Sequence, residues 1–182
     1  MGKSQALHIL EEIKSATFQN AAPLPLKEAA QPEWQGLGFQ IGGIKVVSPM
    51  GEIAEIVKLP RLSTLPSVKA WVLGIANIRG RLIPIIDLHE FLGLETTLPV
   101  SQWRVLVVED DELVAGFLVE QSLGIQHFLE GSFEEEISAE GIEGLRPYLN
   151  GAFRHGGRVF YEAHLKAILK DDKFFDVQEQ TS

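Results

Sequence analysis

Apolar and polar positions change period along this chain. Between Ser4 and Asn20, Leu7, Leu10 and Ile13 recur near the helical period and Ser4 stands where a cap would. That spacing predicts an N-terminal helix whose apolar strip packs on the body. Ala21 to Pro32 carries Pro23, Pro25 and Pro32 and reads as a linker or extended arm. From Leu37 the period drops to two. Leu37 to Ile41 and Ile44 to Val47 flank Gly42-Gly43, a hairpin signal, since glycine supplies positive φ at both turn positions. Glu52 to Val57 reads as a further strand, and Ser67 to Gly74 as one short helix capped by Ser67. Ile75 to Leu88 reads as strand, tight turn at Arg79-Gly80-Arg81, strand. Asp87 to Gly93 is one helical turn stopped by glycine.

Arg104 to Gln121 predicts a second hairpin around the acidic turn Glu109 to Glu112, and Ile125 to Phe128 can pair again. Glu130 to Glu143 is acidic and glycine-punctuated and reads as an exposed loop. Tyr148 to Phe153 and Arg158 to Tyr161 form late strands around Gly156-Gly157. Glu162 to Lys170 closes as a helix, followed by a polar tail whose Phe174-Phe175 pair can dock. Short strands with frequent turns predict a mainly β fold of barrels or a sandwich; the long helices of a doubly wound sheet are missing between Leu37 and Tyr161.

Composition narrows the chemistry. The 182 residues include 16 Lys and Arg against 25 Asp and Glu, a formal charge of −9, and no cysteine. Thiolate metal sites, disulfides and cysteine nucleophiles are therefore out. An acidic balance argues against nucleic acid as a main partner. The first twenty residues place Glu11, Glu12 and Lys14 where a secretory signal would need an apolar run, and no stretch approaches the roughly 18 apolar residues of a membrane span. The expectation is a cytoplasmic protein with no direct membrane insertion.

Catalytic motifs fail one by one. The run Val105 to Glu112 imitates the acidic pocket of a phosphorylatable receiver, but no aspartate lies between Asp111 and Asp171 to accept the phosphoryl group. Asp110 and Asp111 read instead as solvated turn residues. The glycines from Gly36 to Gly42 lack the dinucleotide spacing. His8, His89, His127, His155 and His164 lack metal-ligand spacing. Glu134, Glu135 and Glu136 form a solvated charge run, and there is no serine elbow. No enzyme activity and no cofactor are expected. By contrast, Asn77-Ile78-Arg79-Gly80-Arg81 puts two guanidiniums on a tight turn between strongly apolar strands, an arrangement suited to pairing with carboxylates at an interface. A plain solvated turn accounts for the same residues.

The segment Pro66 to Leu94, with Gly74, Asn77, Ile78, Arg79, Gly80, Pro84, Asp87 and Leu88, strongly resembles the CheW family of chemotaxis coupling proteins. The resemblance spans roughly Trp34 to Asp171. Within the family the chain is most similar to the adaptors of type IV pilus (twitching motility) systems. The resemblance implies two interlocked five-stranded SH3-like β-barrel subdomains around a shared hydrophobic interface. It divides the chain into an N-terminal helix and proline arm (1–33), a CheW-like domain (34–171) and a polar tail (172–182). It implies a non-catalytic adaptor between the cytoplasmic tip of a methyl-accepting chemoreceptor and the regulatory domain of a CheA-type histidine kinase. Carried over by position, Arg79 is the coupling arginine, Ile53 and Glu55 fall where family members contact the receptor, and Asn77 and Gly80 shape the turn. An apolar groove between the subdomains is expected to take a receptor helix. Pro84 and Asp87 are assigned to structure. Val47-Ser48, where many members carry an aromatic residue, is expected to reshape the groove entrance. A flagellar coupling protein of the same fold and a small ligand-binding β-barrel are the alternatives.

Overall fold

The computed structural model describes residues 33–96, 98–138 and 140–178. The expected N-terminal helix and proline arm lie outside them. The described residues form eleven strands: β1 Glu33–Ile41, β2 Ile44–Pro49, β3 Ile53–Lys58, β4 Val72–Ile78, β5 Arg81–Asp87, β6 Arg104–Asp110, β7 Leu113–Val119, β8 Gln121–Leu129, β9 Phe133–Glu134, β10 Leu149–His155 and β11 Arg158–Ala163. Three short helices follow strands or close the chain: α1 Leu88–Leu92, α2 Leu165–Leu169 and α3 Asp172–Phe175. The strands make two sheets, ordered β8-β1-β2-β11-β10-β9 and β3-β6-β7-β5-β4. The first therefore has five long strands plus the two-residue β9. The chain begins the first sheet, builds all of the second, then returns to complete the first, which interlocks them. Most pairings are antiparallel; β2 with β11 and β5 with β7 are parallel.

Alternation in the strands sorts side chains into three cores. A shared core joins the sheets through Phe39 and Val46 from one, Leu106 and Phe117 from the other, and Leu165 and Ile168 from α2. Inside the second sheet the filling is aliphatic, with Ile78, Ile83, Ile85, Val105, Val107 and Leu118. Inside the first it is aromatic, with Phe128, Phe153 and Phe160 buried and Trp34 and Phe133 packed against them. The mainly β, two-sheet expectation holds, and the glycine-pair hairpins form where the period-two pattern placed them.

Four local expectations are corrected. Ser67 to Gly74 is not helical: Ser67 has φ +56° and Gly74 φ +138°. Val68 bridges to Gln178, and β4 starts at Val72. The β-favouring Trp71-Val72 pair and the strap of chain at 176–178 win over a weak helical pattern. Glu162 is the penultimate residue of β11, and the helix starts only after His164. The Glu130 to Glu143 segment is anchored rather than free: Phe133 and Glu134 pair with β10, and Ile142 is 4% exposed. Asp110 is not solvated; its half-buried carboxylate pairs with Lys170 at 2.5 Å and Lys166 at 3.6 Å, which pins α2 to β6. Phe174 docks against Trp71, Phe91 and Phe117, whereas Phe175 stays exposed.

Candidate functional site

The β4–β5 turn is held from both sides. Ala76, Ile78, Ile83 and Ile85 bury their side chains in the aliphatic core. The turn is two residues, Arg79 and Gly80, between Ile78 and Arg81, which face each other in the ladder. Both take positive φ, +52° and +83°, the twist-matched geometry of a tight hairpin. Asn77 Oδ1 accepts from the Gly80 N–H at 2.8 Å and fixes that geometry. Asn77 and Gly80 thus shape the turn and present Arg79.

The Arg79 side chain is 79% exposed, and its Nε donates to Glu55 Oε1 at 2.8 Å. Glu55 sits on β3, at the opposite edge of the five-stranded sheet from β4, so the pair spans the two sheet edges. An exposed ion pair contributes about 0–1 kcal/mol; its effect here is to aim the guanidinium. Among the described residues the terminal nitrogens of Arg79 have no partner. They remain available for bidentate pairing with a carboxylate. Arg81 is engaged with Glu109.

Beside this pair lies a groove of about 230 Å³ lined by Leu37 of β1, the Pro49-Met50-Gly51 turn, and Ile53 to Ile56 of β3. The groove therefore runs between the two sheets. A bulge at Ala54 makes Ile53 face Val108 and Glu55 face Val107 on β6, which brings both residues to the groove wall. Met50 is 53% exposed and Ile56 37%. The structure thus gathers Ile53, Glu55 and Arg79 on one surface, apolar in the groove and charged at its end. Residue-type reasoning missed Leu37, Met50 and Ile56 as lining residues: the pairing of β1 with β2 sets Leu37 beside the turn that carries Met50, and β3 of the other sheet brings Ile56 to them.

The wall of the groove is braced by a half-buried carboxylate. Glu52 accepts from Ser48 Oγ at 3.1 Å and from the Lys166 N–H at 3.4 Å, and it contacts His164 Nδ1 at 2.6 Å. His164 gives α2 no side-chain cap, so Glu52 satisfies a first-turn N–H of that helix from across the fold. Val47 and Ser48 are fully buried. They point inward and do not reshape the groove entrance, which corrects that expectation.

Asp87 ends β5 and caps α1, accepting from the N–H groups of His89 at 3.0 Å and Glu90 at 3.3 Å. Burial pushes its carboxyl up, but the hydrogen bond from the His89 ring and those from the helix N–H groups outweigh this and hold it below the ordinary value. The His89 ring stacks on Trp103 and lies 3.7 Å from the fully buried Glu120. Glu120 also accepts from Gln40 Nε2 and the Gly43 N–H. This polar layer ties α1 to the β1–β2 turn, a structural role in keeping with the assignment of Asp87.

A CheW-like domain model matches residues 35–173. Protein PilI of Pseudomonas aeruginosa is 40% identical over 171 residues, covering 93% of this chain and 94% of that protein. Chemotaxis protein CheW of Helicobacter pylori is 34% identical over 87 residues, 48% of this chain and 53% of its own. Among solved structures, the scaffolding protein TtCheW of Thermoanaerobacter tengcongensis superposes with a TM-score of 0.67 at 20% identity, covering 78% of this chain and 96% of that one. That last likeness concerns the fold.

Proposed function

This chain belongs to the family of CheW-like domains, and on that premise we propose how it works as an adaptor. It couples the cytoplasmic tip of a methyl-accepting chemoreceptor to the regulatory domain of a CheA-type histidine kinase, in a pathway that drives type IV pilus twitching. It does so in the cytoplasm, beneath the membrane that holds the receptors, and performs no chemistry of its own. The pilus output is supported by the similarity to Protein PilI along nearly the whole of both chains. The flagellar alternative is supported only at a coarser level, since the Helicobacter CheW matches about half of either chain.

The observation that carries the mechanism is the exposed Arg79, oriented by Glu55 at the end of an apolar groove. A partner helix lays its apolar side along Ile53 and Ile56 and meets the two terminal nitrogens of Arg79 with a carboxylate. Asn77 and Gly80 act through the turn. Because the adaptor itself alters neither partner covalently, it passes signal only as a difference in binding free energy between receptor states. The ligand-barrel alternative gains nothing from the second sheet, whose interior is filled by packed aliphatic side chains.

The test is binding of the purified full chain to a receptor signalling tip and to a CheA-type regulatory domain from the same organism, wild type beside Arg79→Glu. The expected result is that wild type binds both and the folded variant loses at least one. Failure of wild type to bind either would overturn the adaptor assignment for this chain.

A further inference from the structure

The aromatic core of the first sheet is open at one place. A cavity of about 210 Å³ there is lined by Trp34, Glu130, Phe133, Asn150, Phe153 and Glu162. Its walls are rings in mutual contact: Trp34 and Phe153 have centroids 4.6 Å apart, and Phe133 and Phe153 4.9 Å apart. Two glycines make room for them. A Cβ on Gly36 would lie 2.4 Å from Trp34 Cη2, and one on Gly151 would lie 2.4 Å from Phe133 Cζ. The rings are therefore seated against bare backbone, in positions that a side chain on either strand would deny them.

Two carboxylates share this aromatic setting. Glu162 is only 5% exposed, and its Oε2 accepts from Asn150 Nδ2 at 3.1 Å. Glu130 stands exposed at the rim. Among the described residues no lysine, arginine or histidine lines the cavity, and the arginine of the adjoining strand, Arg154, is paired with Glu134 at 2.6 Å. A carboxylate offers about four acceptor positions, so one bond from Asn150 leaves Glu162 with capacity to spare.

We infer that this cavity binds an alkylammonium group. Aromatic faces attract cations, and a buried carboxylate forms charge-assisted hydrogen bonds with an ammonium. Anions are repelled by Glu130 and Glu162. An uncharged apolar ligand would press hydrocarbon against Glu162 without compensating its charge. The volume is below the roughly 300 Å³ at which drug-sized ligand pockets begin, so it suits one cationic end group. That group is carried either by a free small amine or by a lysine side chain. The inference is independent of the coupling role proposed above.

The full chain, labelled with ¹⁵N, is titrated with n-butylammonium chloride and with N-acetyl-lysine-methylamide, at constant ionic strength, while the Trp34 indole N–H is followed by NMR. The uncharged n-butanol is the control. The expected result is a saturable Trp34 shift with n-butylammonium, and binding of n-butanol at least tenfold weaker. Glu162→Gln, which keeps the bond from Asn150, is expected to weaken n-butylammonium by fivefold or more. Should that variant not fold, Phe133→Leu on the short edge strand β9 is expected to weaken it several-fold. Saturation with the lysine probe as well assigns the site to lysine side chains; saturation with n-butylammonium alone assigns it to a free amine. Absence of a saturable shift with n-butylammonium, equal binding of n-butanol, or a folded variant that binds like wild type would overturn the inference.

Discussion

The β1–β2 and β4–β5 turns are both two-residue loops with positive φ throughout: +56° and +75° at Gly42 and Gly43, +52° and +83° at Arg79 and Gly80. The first is built into the body. A Cβ on Gly42 would meet Glu95 O and Leu94 Cβ at 3.1 Å, and the Gly43 N–H donates to buried Glu120 at 3.2 Å. The second stands in solvent, with nothing within 4 Å of the place where a Gly80 Cβ would sit. At the first position of the packed turn the chain uses the residue that the backbone prefers. At the same position of the open turn it places arginine, at a left-handed cost of about 1–2 kcal/mol. The Glu55 pair returns about 0–1 kcal/mol of this. Stability does not account for Arg79; the partner surface proposed above would.

Arg79→Glu should separate the two turns most sharply. Reversing the charge beside Glu55 is expected to cost partner binding at least about thirtyfold, the lower end of the 2–5 kcal/mol range for a lost interfacial charge pair. Its melting temperature should stay close to that of wild type. Gly42→Ala should do the reverse: about 1–2 kcal/mol lost in a denaturant titration, from left-handed strain and the crowding at Leu94 and Glu95, with partner affinity unchanged for the folded fraction.

Next in size is Asp87→Asn, at the far end of the strand that leaves the open turn, which keeps the cap but removes its charge from the helix N-terminus and should cost about 0.5–1 kcal/mol near neutral pH. The Asp87 carboxyl is held below its ordinary 3.8. Its stabilisation is therefore fully present above that value and lost as pH falls through the lower folded-state value. Melting curves of wild type and variant should differ most above pH 3.8 and converge in acid. The smallest effect belongs to Glu55→Gln, expected to change stability by under about 0.5 kcal/mol. Affinity should fall only a few-fold, because the guanidinium survives and only its aim is lost.

The strands and tight turns were legible because they depend on neighbours in sequence. Period-two runs around Gly42-Gly43, Arg79-Gly80 and Gly156-Gly157 carry their own register, and Asp87 with Gly93 brackets α1 as a cap pair should. What escaped was non-local. Asp110 looked like a turn residue because its partners, Lys166 and Lys170, come from a helix some sixty positions later. Glu52 gives no local sign that it satisfies the start of α2. Ser67 to Gly74 was misread because the strap that pairs with Val68 and Lys69 lies at the other end of the chain. Of the site, residue types alone drew attention to the Arg79 turn but fitted a plain solvated turn as well, and only the family resemblance tipped the reading towards an interface. The pairing of Arg79 with Glu55 and the apolar groove beside it needed the fold.

The most direct measurement is a paired one on Arg79→Gly: thermal melting of the full chain, and its affinity for the receptor tip and the CheA-type regulatory domain. Glycine removes the left-handed strain together with the guanidinium. The account predicts a melting temperature no lower than wild type and loss of binding to at least one partner. A lower melting temperature with both affinities unchanged would contradict it, and would make Arg79 a residue of the fold.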